Sequence, residues 1–289
     1  MKQARKSIVW LASYPKSGNT WFRIFLSTIR GETVTTPDIN DLNRTPIASA
    51  RGLFEDQADL ESSDLTLDET DCLRPEVYRQ LAAEQEERLF LKIHDAFTRT
   101  PNDEWMFPPE VTWGVIYLVR NPLDVAVSLA NHNSRSIDQC VHDLCNESYG
   151  LCRGKNQLAN QLRQMLLTWS DHVISWLDSP NPLCLLRYED MVSHPLETFR
   201  KALDFLELPR PEQEIQAALD LCRIDRLQEQ ETQNRFKEKP QHCHAFFRKG
   251  VVGDWRNHLS DSQVDDILKA HYDVMKQLGY LDDQDRLTV

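Results

Sequence analysis

Residues 7–14, Ser7-Ile-Val-Trp-Leu-Ala-Ser-Tyr14, form an almost unbroken apolar run, and Pro15-Lys16-Ser17-Gly18 ends it abruptly. A short apolar run closed by turn residues suits a strand buried on both faces, as in a parallel sheet covered by helices. From residue 20 to 30 the period changes, and Trp21, Ile24, Phe25 and Thr28 fall on one helical face. Strand, glycine loop and helix therefore open the chain.

The alternation continues downstream. Residues 89–94, 111–119 and 183–188 read as further strands. Residues 123–131 read as a helix with Asn121 as N-cap and Pro122 at its first position. Further helices are expected over 158–177, which is long and amphipathic, and over 195–206. Ser260-Asp-Ser-Gln263 is a capping-box pattern that opens a C-terminal helix with the stripe Val264, Ile267, Leu268, His271, Met275 and Leu278. Residues 31–87 are expected to hold loops and short helices, 132–157 a polar stretch with three cysteines, and 228–241 a charged, mobile loop. No repeat or linker divides the chain. The expectation is one α/β domain across 1–289, with a mainly parallel central sheet flanked by helices and variable loops near 31–87, 132–157 and 228–245. Ligands of such sheets collect at the carboxyl ends of the strands.

Composition narrows the partners. A chain of 289 residues can bury a substantial core. Its formal charge of −12 argues against nucleic acid, which needs clustered cations. No apolar stretch approaches the roughly twenty residues of a membrane span. Residues 1–6 are basic, but the apolar run behind them is too short for a signal peptide. Seven cysteines, an odd number without a small-domain framework, read as reduced thiols of a cytoplasmic protein.

The loop Tyr14-Pro-Lys-Ser-Gly-Asn-Thr-Trp21 has the parts of an anion cradle. The N–H groups of Ser17, Gly18, Asn19 and Thr20 start a helix and lack intrahelical partners, and the helix dipole adds positive charge. Gly18 admits close approach, Lys16 supplies a full charge, and Ser17, Asn19 and Thr20 add side-chain donors. The nucleotide-triphosphatase loop places its lysine after a second glycine. Here Lys16 precedes Gly18 and the first glycine is missing, which disfavours an ATPase or GTPase. Two more segments could grip anions. Arg120 ends a strand eight residues before Ser128, although an Arg120–Asp124 surface pair would account for it equally. Phe247-Arg-Lys-Gly-Val-Val-Gly-Asp-Trp-Arg-Asn257 carries two adjacent cations and two glycines, as would a solvated basic loop. In Lys92-Ile-His94 the two polar side chains share one strand face.

Taken in order, these segments resemble the PAPS-dependent sulfotransferase family (PAPS is 3′-phosphoadenosine-5′-phosphosulfate), of the cytosolic and bacterial type. Bacterial members that sulfate natural products share the Ala-Ser-Tyr-Pro-Lys opening and the Leu-Val-Arg-Asn-Pro segment. The family's loop reads Tyr-Pro-Lys-Ser-Gly-(Thr/Asn)-Thr-Trp, and its C-terminal segment Arg-Lys-Gly-x-x-Gly-Asp-Trp-(Lys/Arg)-Asn. The resemblance implies a P-loop-like phosphosulfate loop from Lys16 to Thr20 and adenine stacking by Trp21. It implies 3′-phosphate binding by Arg120, Ser128, Arg248, Lys249 and Gly250, and adenine contacts from Tyr188 and Phe236. It also implies a base, His94, neutral near pH 7, that takes the acceptor's proton during in-line attack on sulfur. Lys16 and Lys92 would stabilise the leaving phosphate, PAP would be the product, and no metal would be required. Ser128 would restrain Lys16 until the acceptor arrives.

The acceptor is expected to be a small molecule with a hydroxyl or amine, polar or a secondary metabolite, because aromatics are sparse in the variable segments: Phe97, Trp105, Phe107 and Tyr149. The dimer signature of animal members is not matched at Arg256, Ser260, Asp261 and Asp265. Three other readings compete. A kinase using ATP and Mg²⁺ would need strand-end acids such as Glu189 and Asp190. A non-catalytic nucleotide binder would not need His94 and Lys92. A zinc site could draw on Cys140, Cys145 and Cys152, or on His242, Cys243 and His244.

Overall fold

The computed structural model describes residues 6–31, 33–154 and 158–289. All but the last of the basic residues 1–6, and the end of the 132–157 segment, lie outside the described residues. Strand β1 (Ile8–Ser13) is buried at every position, as its unbroken apolar run demands. After it come α1 (Asn19–Ile29), α2 (Arg51–Ala58), α3 (Leu67–Glu84), β2 (Leu89–Ile93), β3 (Thr112–Val119), α4 (Pro122–Asn133), α5 (Ile137–Leu144), β4 (Gly150–Leu151), β5 (Gln164–Met165), α6 (Trp169–Leu177), β6 (Leu183–Arg187), α7 (Tyr188–Ser193), α8 (Pro195–Phe205), α9 (Glu212–Leu221), α10 (Ile224–Asn234) and α11 (Asp261–Gln277). Among the described residues the main sheet has the strand order β2-β1-β3-β6. β1 and β2 pair in parallel from Ile8 opposite Leu89 to Ala12 opposite Ile93. The helices between them supply the crossover that a parallel pair requires. This is the expected α/β architecture with a parallel central sheet.

The chain divides into two compact units, passing between them after Tyr14, Arg44, Tyr117, Cys145 and Cys184. The first unit has an aromatic core in which Trp10 packs edge-on against Tyr78 and Phe107, each 5.0 Å away, and Phe107 stacks on Trp176 at 5.3 Å. In the second, Phe22 and Phe25 of α1 pack on Phe199 of α8. No helix among the described residues is long and apolar enough to cross a membrane.

Local cap signals hold. The Asn121 side chain accepts from Leu123 N–H at the start of α4 with Pro122 at the first position, and Ser260 and Gln263 form a reciprocal capping box on α11. Three expectations need correction. Residues 158–177 are not one helix: Leu162 N–H bonds Ser49 O, residues 164–165 pair with β4, and Leu167 is left-handed at φ 61°. A helix restarts only after Thr168, whose hydroxyl caps Asp171 N–H. The backbone of the early part is committed to neighbouring chain, which overrides its helical period. The proposed loop 228–241 is helical as far as Asn234, because Leu227 and Glu231 are buried and Glu231 accepts from Phe246 and Phe247 N–H. The 31–87 stretch contains α3, an 18-residue helix rather than short pieces, started by a Thr66–Glu69 capping box.

Candidate active site

The second unit contains the whole loop from Pro15 onward. Lys16 adopts φ 71° and Gly18 φ 92°, two left-handed turns in three residues. A non-glycine residue there costs about 1–2 kcal/mol, and such strain concentrates at ligand clamps. A Cβ on Gly18 would lie 2.8 Å from Cδ2 of Tyr188, so this position must be glycine for the loop to close against that ring. Gly18 is also the N-cap of α1 and provides no side-chain cap. The Lys16 ammonium lies 3.3 Å from Nδ1 of His132 and 4.3 Å from the centre of the Phe246 ring.

Arg120 gathers the three sequence segments in this unit. Its guanidinium donates to the carbonyl of Lys16 at 3.4 Å and to that of Val251 at 3.0 Å, and lies 4.3 Å over the Tyr188 ring. Burial is the main cause that raises the Tyr188 pKa, with Arg120 opposing it, so the phenol stays neutral. Trp21 sits edge-on to Tyr188 and Phe199. Ser128 lies on α4 two turns beyond Arg120. Phe236 is buried against Phe246 and Phe247.

The basic pair is held by one carboxylate. Asp254 Oδ2 accepts from Arg248 and Oδ1 from Lys249, both at 2.7 Å. Burial would raise the pKa of Asp254, but the hydrogen bonds from Lys249 and Arg248 hold it well below the usual carboxylate range. Asp124 on α4 accepts from the N–H groups of Gly253 and Trp255 at 2.8 and 3.0 Å, with Arg120 3.6 Å away. The Arg120–Asp124 pair therefore exists, but it is buried rather than on the surface, and it ties the basic loop to the Arg120 segment. Gly250 is left-handed at φ 66°, with Ile224 where a Cβ would stand.

In the first unit His94 follows the last paired residue of β2 and is half-buried. Its Nδ1 lies 2.9 Å from the carbonyl oxygen of Ser13 and 3.2 Å from the Ser13 hydroxyl. A carbonyl can only accept, so Nδ1 carries the hydrogen, and Nε2 is the ring nitrogen that is left to exchange a proton. Lys92 is buried within β2, its backbone paired with Leu11 of β1 and with Pro46 and Ala48.

Four participants were not singled out as site residues on sequence: His132 and Phe246 beside Lys16, Ser13 beside His94, and His172 below it. Nothing in residue type or spacing marks them, because each acts through a tertiary contact. His172 Nε2 donates to the His94 carbonyl at 2.9 Å, and its Nδ1 lies 2.8 Å from the Tyr117 hydroxyl. Burial lowers the His172 pKa from 6.5 to about 4. Below pH 6.5 the unfolded chain binds a proton that the folded chain refuses until about pH 4. The resulting stability is complete above pH 6.5 and is lost as pH falls toward 4, a difference of about 3 kcal/mol. Urea titrations should therefore show the wild type losing more stability between about pH 7 and about pH 4 than H172Q, which cannot titrate there.

Among the described residues no group of three or more His, Cys, Asp or Glu side chains is placed to hold a metal ion. Cys145 instead faces His271 at 3.9 Å, and Cys243 the carbonyl of Ala245.

The chain is similar to several known proteins. A flavonol 3-sulfotransferase of Flaveria bidentis is 26% identical over 290 residues, covering 92% of this chain and 81% of its own length. Sulfotransferase 1B1 of Mus musculus is 25% identical over 284 residues, covering 91% and 81%. Among solved structures, mouse sulfotransferase SULT7A1 complexed with PAP aligns with a TM-score of 0.60 at 20% identity, over 95% of this chain and 86% of that one. Retinol dehydratase in complex with androsterone and inactive cofactor PAP also gives 0.60, at 21% identity, over 94% and 81%. At those identities the solved structures establish the fold. The family described as "Sulfotransferase domain" matches residues 6–279, and the chain belongs to that family.

Proposed function

We propose that this enzyme transfers a sulfuryl group from PAPS to a hydroxyl or amine of a small-molecule acceptor and releases PAP. The observation that carries the reading is the convergence on Arg120 of the Lys16 loop, the Val251 loop and Tyr188. Two sets of cations and N–H donors beside one aromatic patch suit a nucleotide phosphorylated at two positions better than a simple phosphate ester. The residues fit such a ligand. Ser17 Oγ, Trp21 Nε1 and Arg120 Nε are buried without a partner among the described residues, whereas buried polar atoms are nearly always paired. The names of the relatives support the same donor, two of the similar structures being complexes with PAP.

In this reading Lys16, Ser17, Gly18, Asn19 and Thr20 hold the 5′-phosphosulfate, and Trp21, Tyr188 and Phe236 form the adenine side. Arg120, Ser128, Arg248, Lys249 and Gly250 hold the 3′-phosphate. PAPS supplies a sulfuryl group joined to a phosphate that can leave. His94 Nε2 takes the acceptor proton, and the ammonium groups of Lys16 and Lys92 offset the charge that develops on the leaving oxygen. Lys16→Ala should lower the single-turnover rate about 10²–10³-fold, the scale of losing one such electrostatic contact, as measured by rapid-quench formation of PAP. A cytoplasmic place of action and a polar acceptor belong to the same proposal.

The kinase alternative loses the first of its two candidate metal ligands. Glu189 Oε1 accepts from Asn121 N–H and Oε2 from the Tyr280 hydroxyl, both at 2.9 Å, and the side chain is buried. Its pKa is raised, first by burial, so it is a structural acid. The test is a panel of phenols, flavonols, steroids, amines and polar metabolites incubated with isotopically labelled PAPS in EDTA and read by mass spectrometry. Labelled sulfated product is the expected result. Phosphorylated product from ATP and Mg²⁺, with none from PAPS, would overturn it.

A further inference from the structure

His94 lies just beyond the β1–β2 ladder, whose last pair is Ala12 with Ile93, so sheet pairing does not set its backbone. Helix α6 does. His172 donates to the His94 carbonyl at 2.9 Å, and Trp176, one turn later on the same face, donates through Nε1 to the Asp95 carbonyl at 2.9 Å. Ser175, between them, accepts from Phe97 N–H at 3.0 Å. Two consecutive carbonyls and a following N–H are thus gripped by one helix.

We propose that His172, with Tyr117, is a positioning residue for His94: a neutral, doubly hydrogen-bonded imidazole that fixes the peptide carrying the base. The proposal rests on the reading of His94 as that base. His172 Nε2 faces a carbonyl, which can only accept, so Nε2 bears the hydrogen. Its Nδ1 is then an acceptor, and the Tyr117 hydroxyl donates to it at 2.8 Å. Both rings nitrogens are used, the side chain is fully buried, and the Tyr14 ring closes on it at 5.3 Å. Without His172 the part-buried His94 carbonyl loses this donor, and rotation of that peptide to recover one would swing the imidazole away from the Ser13 carbonyl. A displacement of about 1 Å at a reacting group can cost about 10²-fold in rate.

The test uses the full chain, with PAP and PAPS as probes. Phe at position 172 keeps an aromatic ring, a larger one, and removes both hydrogen bonds, whereas Gln can donate from its amide nitrogen and accept at its oxygen. H172F should bind PAP with wild-type affinity, because the residues assigned to the nucleotide lie in the other unit. Its kcat for conversion of PAPS to PAP should fall about 10–100-fold. H172Q should recover most of that loss. Long-range ¹⁵N–¹H spectra of histidine-labelled protein, assigned with H94A, should show His94 as a single Nδ1–H tautomer in the wild type and H172Q, and as a mixture in H172F. An H172F enzyme with wild-type kcat and an unchanged His94 tautomer would overturn the positioning role. So would a wild-type spectrum in which His172 is Nδ1–H or His94 is Nε2–H, a measurement that does not depend on H172F folding. H94A separates the two levels: if it is inactive while H172F is normal, only the positioning role falls, and if H94A turns over normally, the base assignment falls with it.

Discussion

Replacing His94 with alanine is expected to lower turnover about 10³-fold while leaving PAP affinity unchanged. The two halves of the result have separate physical origins. An acceptor hydroxyl has a pKa far above neutrality and attacks poorly until a positioned base takes its proton, an effect worth about 10²–10⁴-fold. The proposed base, His94, places Nδ1 2.9 Å from the Ser13 carbonyl, which leaves Nε2 for that task. Alanine removes Nε2 and leaves β2, which ends at Ile93, untouched. The groups assigned to the nucleotide come from other segments of chain, above all Lys16, Arg120, Tyr188 and Arg248. Isothermal titration with PAP and single-turnover measurement with PAPS would check both halves. Near-normal turnover would remove His94 from the chemistry, and lost PAP binding would mean that its role is structural.

The parts of this site that were legible in the sequence are those whose cause is local. A continuous apolar run, Gly18 before a helical period, Asn121-Pro122 and the Ser260–Gln263 box act within a few residues, so they can be read in order along the chain. The elements that were misread are set by distant partners. Residues 158–166 carry a helical period, yet Arg51 N–H bonds Asn160 O and Leu162 N–H bonds Ser49 O, and these pairings win. α10 looks like a solvated loop because only Leu227 and Glu231 of its 11 residues are buried. Glu231 earns its place by accepting two backbone N–H groups from the Phe246–Phe247 turn, a use no pattern announces. His172 shows the same limit more sharply. Its own neighbours in sequence say nothing of a carbonyl 78 positions away.

Asp124 and Asp254 illustrate how an acidic chain can build a cationic site. Each aspartate sits among the residues proposed to hold an anion, where a free carboxylate would repel it. Asp124 is engaged by Gly253 and Trp255 N–H, and Asp254 by Arg248 and Lys249. Their charge is therefore used to fold the loop and align its cations. The net charge of −12 sits on a different length scale from this local arrangement.

Asp95→Ala is expected to destabilise the fold by about 3–5 kcal/mol, the cost of leaving a buried charge without its partner. Asp95 and Arg74 are both almost fully buried and form a bidentate pair, Nη1 to Oδ1 at 2.9 Å and Nη2 to Oδ2 at 3.1 Å. Burial alone would lower the Arg74 pKa, but Asp95, Tyr78 and Asp71 reverse it, so the guanidinium stays charged. Asp71 cannot take over as sole partner. It lies 3.6 Å from Arg74, and its other oxygen already receives Arg163 Nε and Nη2 at 2.8 and 2.6 Å. Removing both charges together, as in Arg74→Met with Asp95→Leu, should recover part of the loss, because paired hydrophobic replacement avoids the stranded cation. Urea midpoints of the two single variants and the double variant would measure the coupling. The location gives the experiment a second reading. Asp95 directly follows His94, and its carbonyl receives Trp176 Nε1, so the ion pair braces the turn that carries the proposed base. Asp95→Ala should therefore lower kcat even at temperatures where the variant is fully folded, whereas an ion pair serving stability alone would leave kcat unchanged.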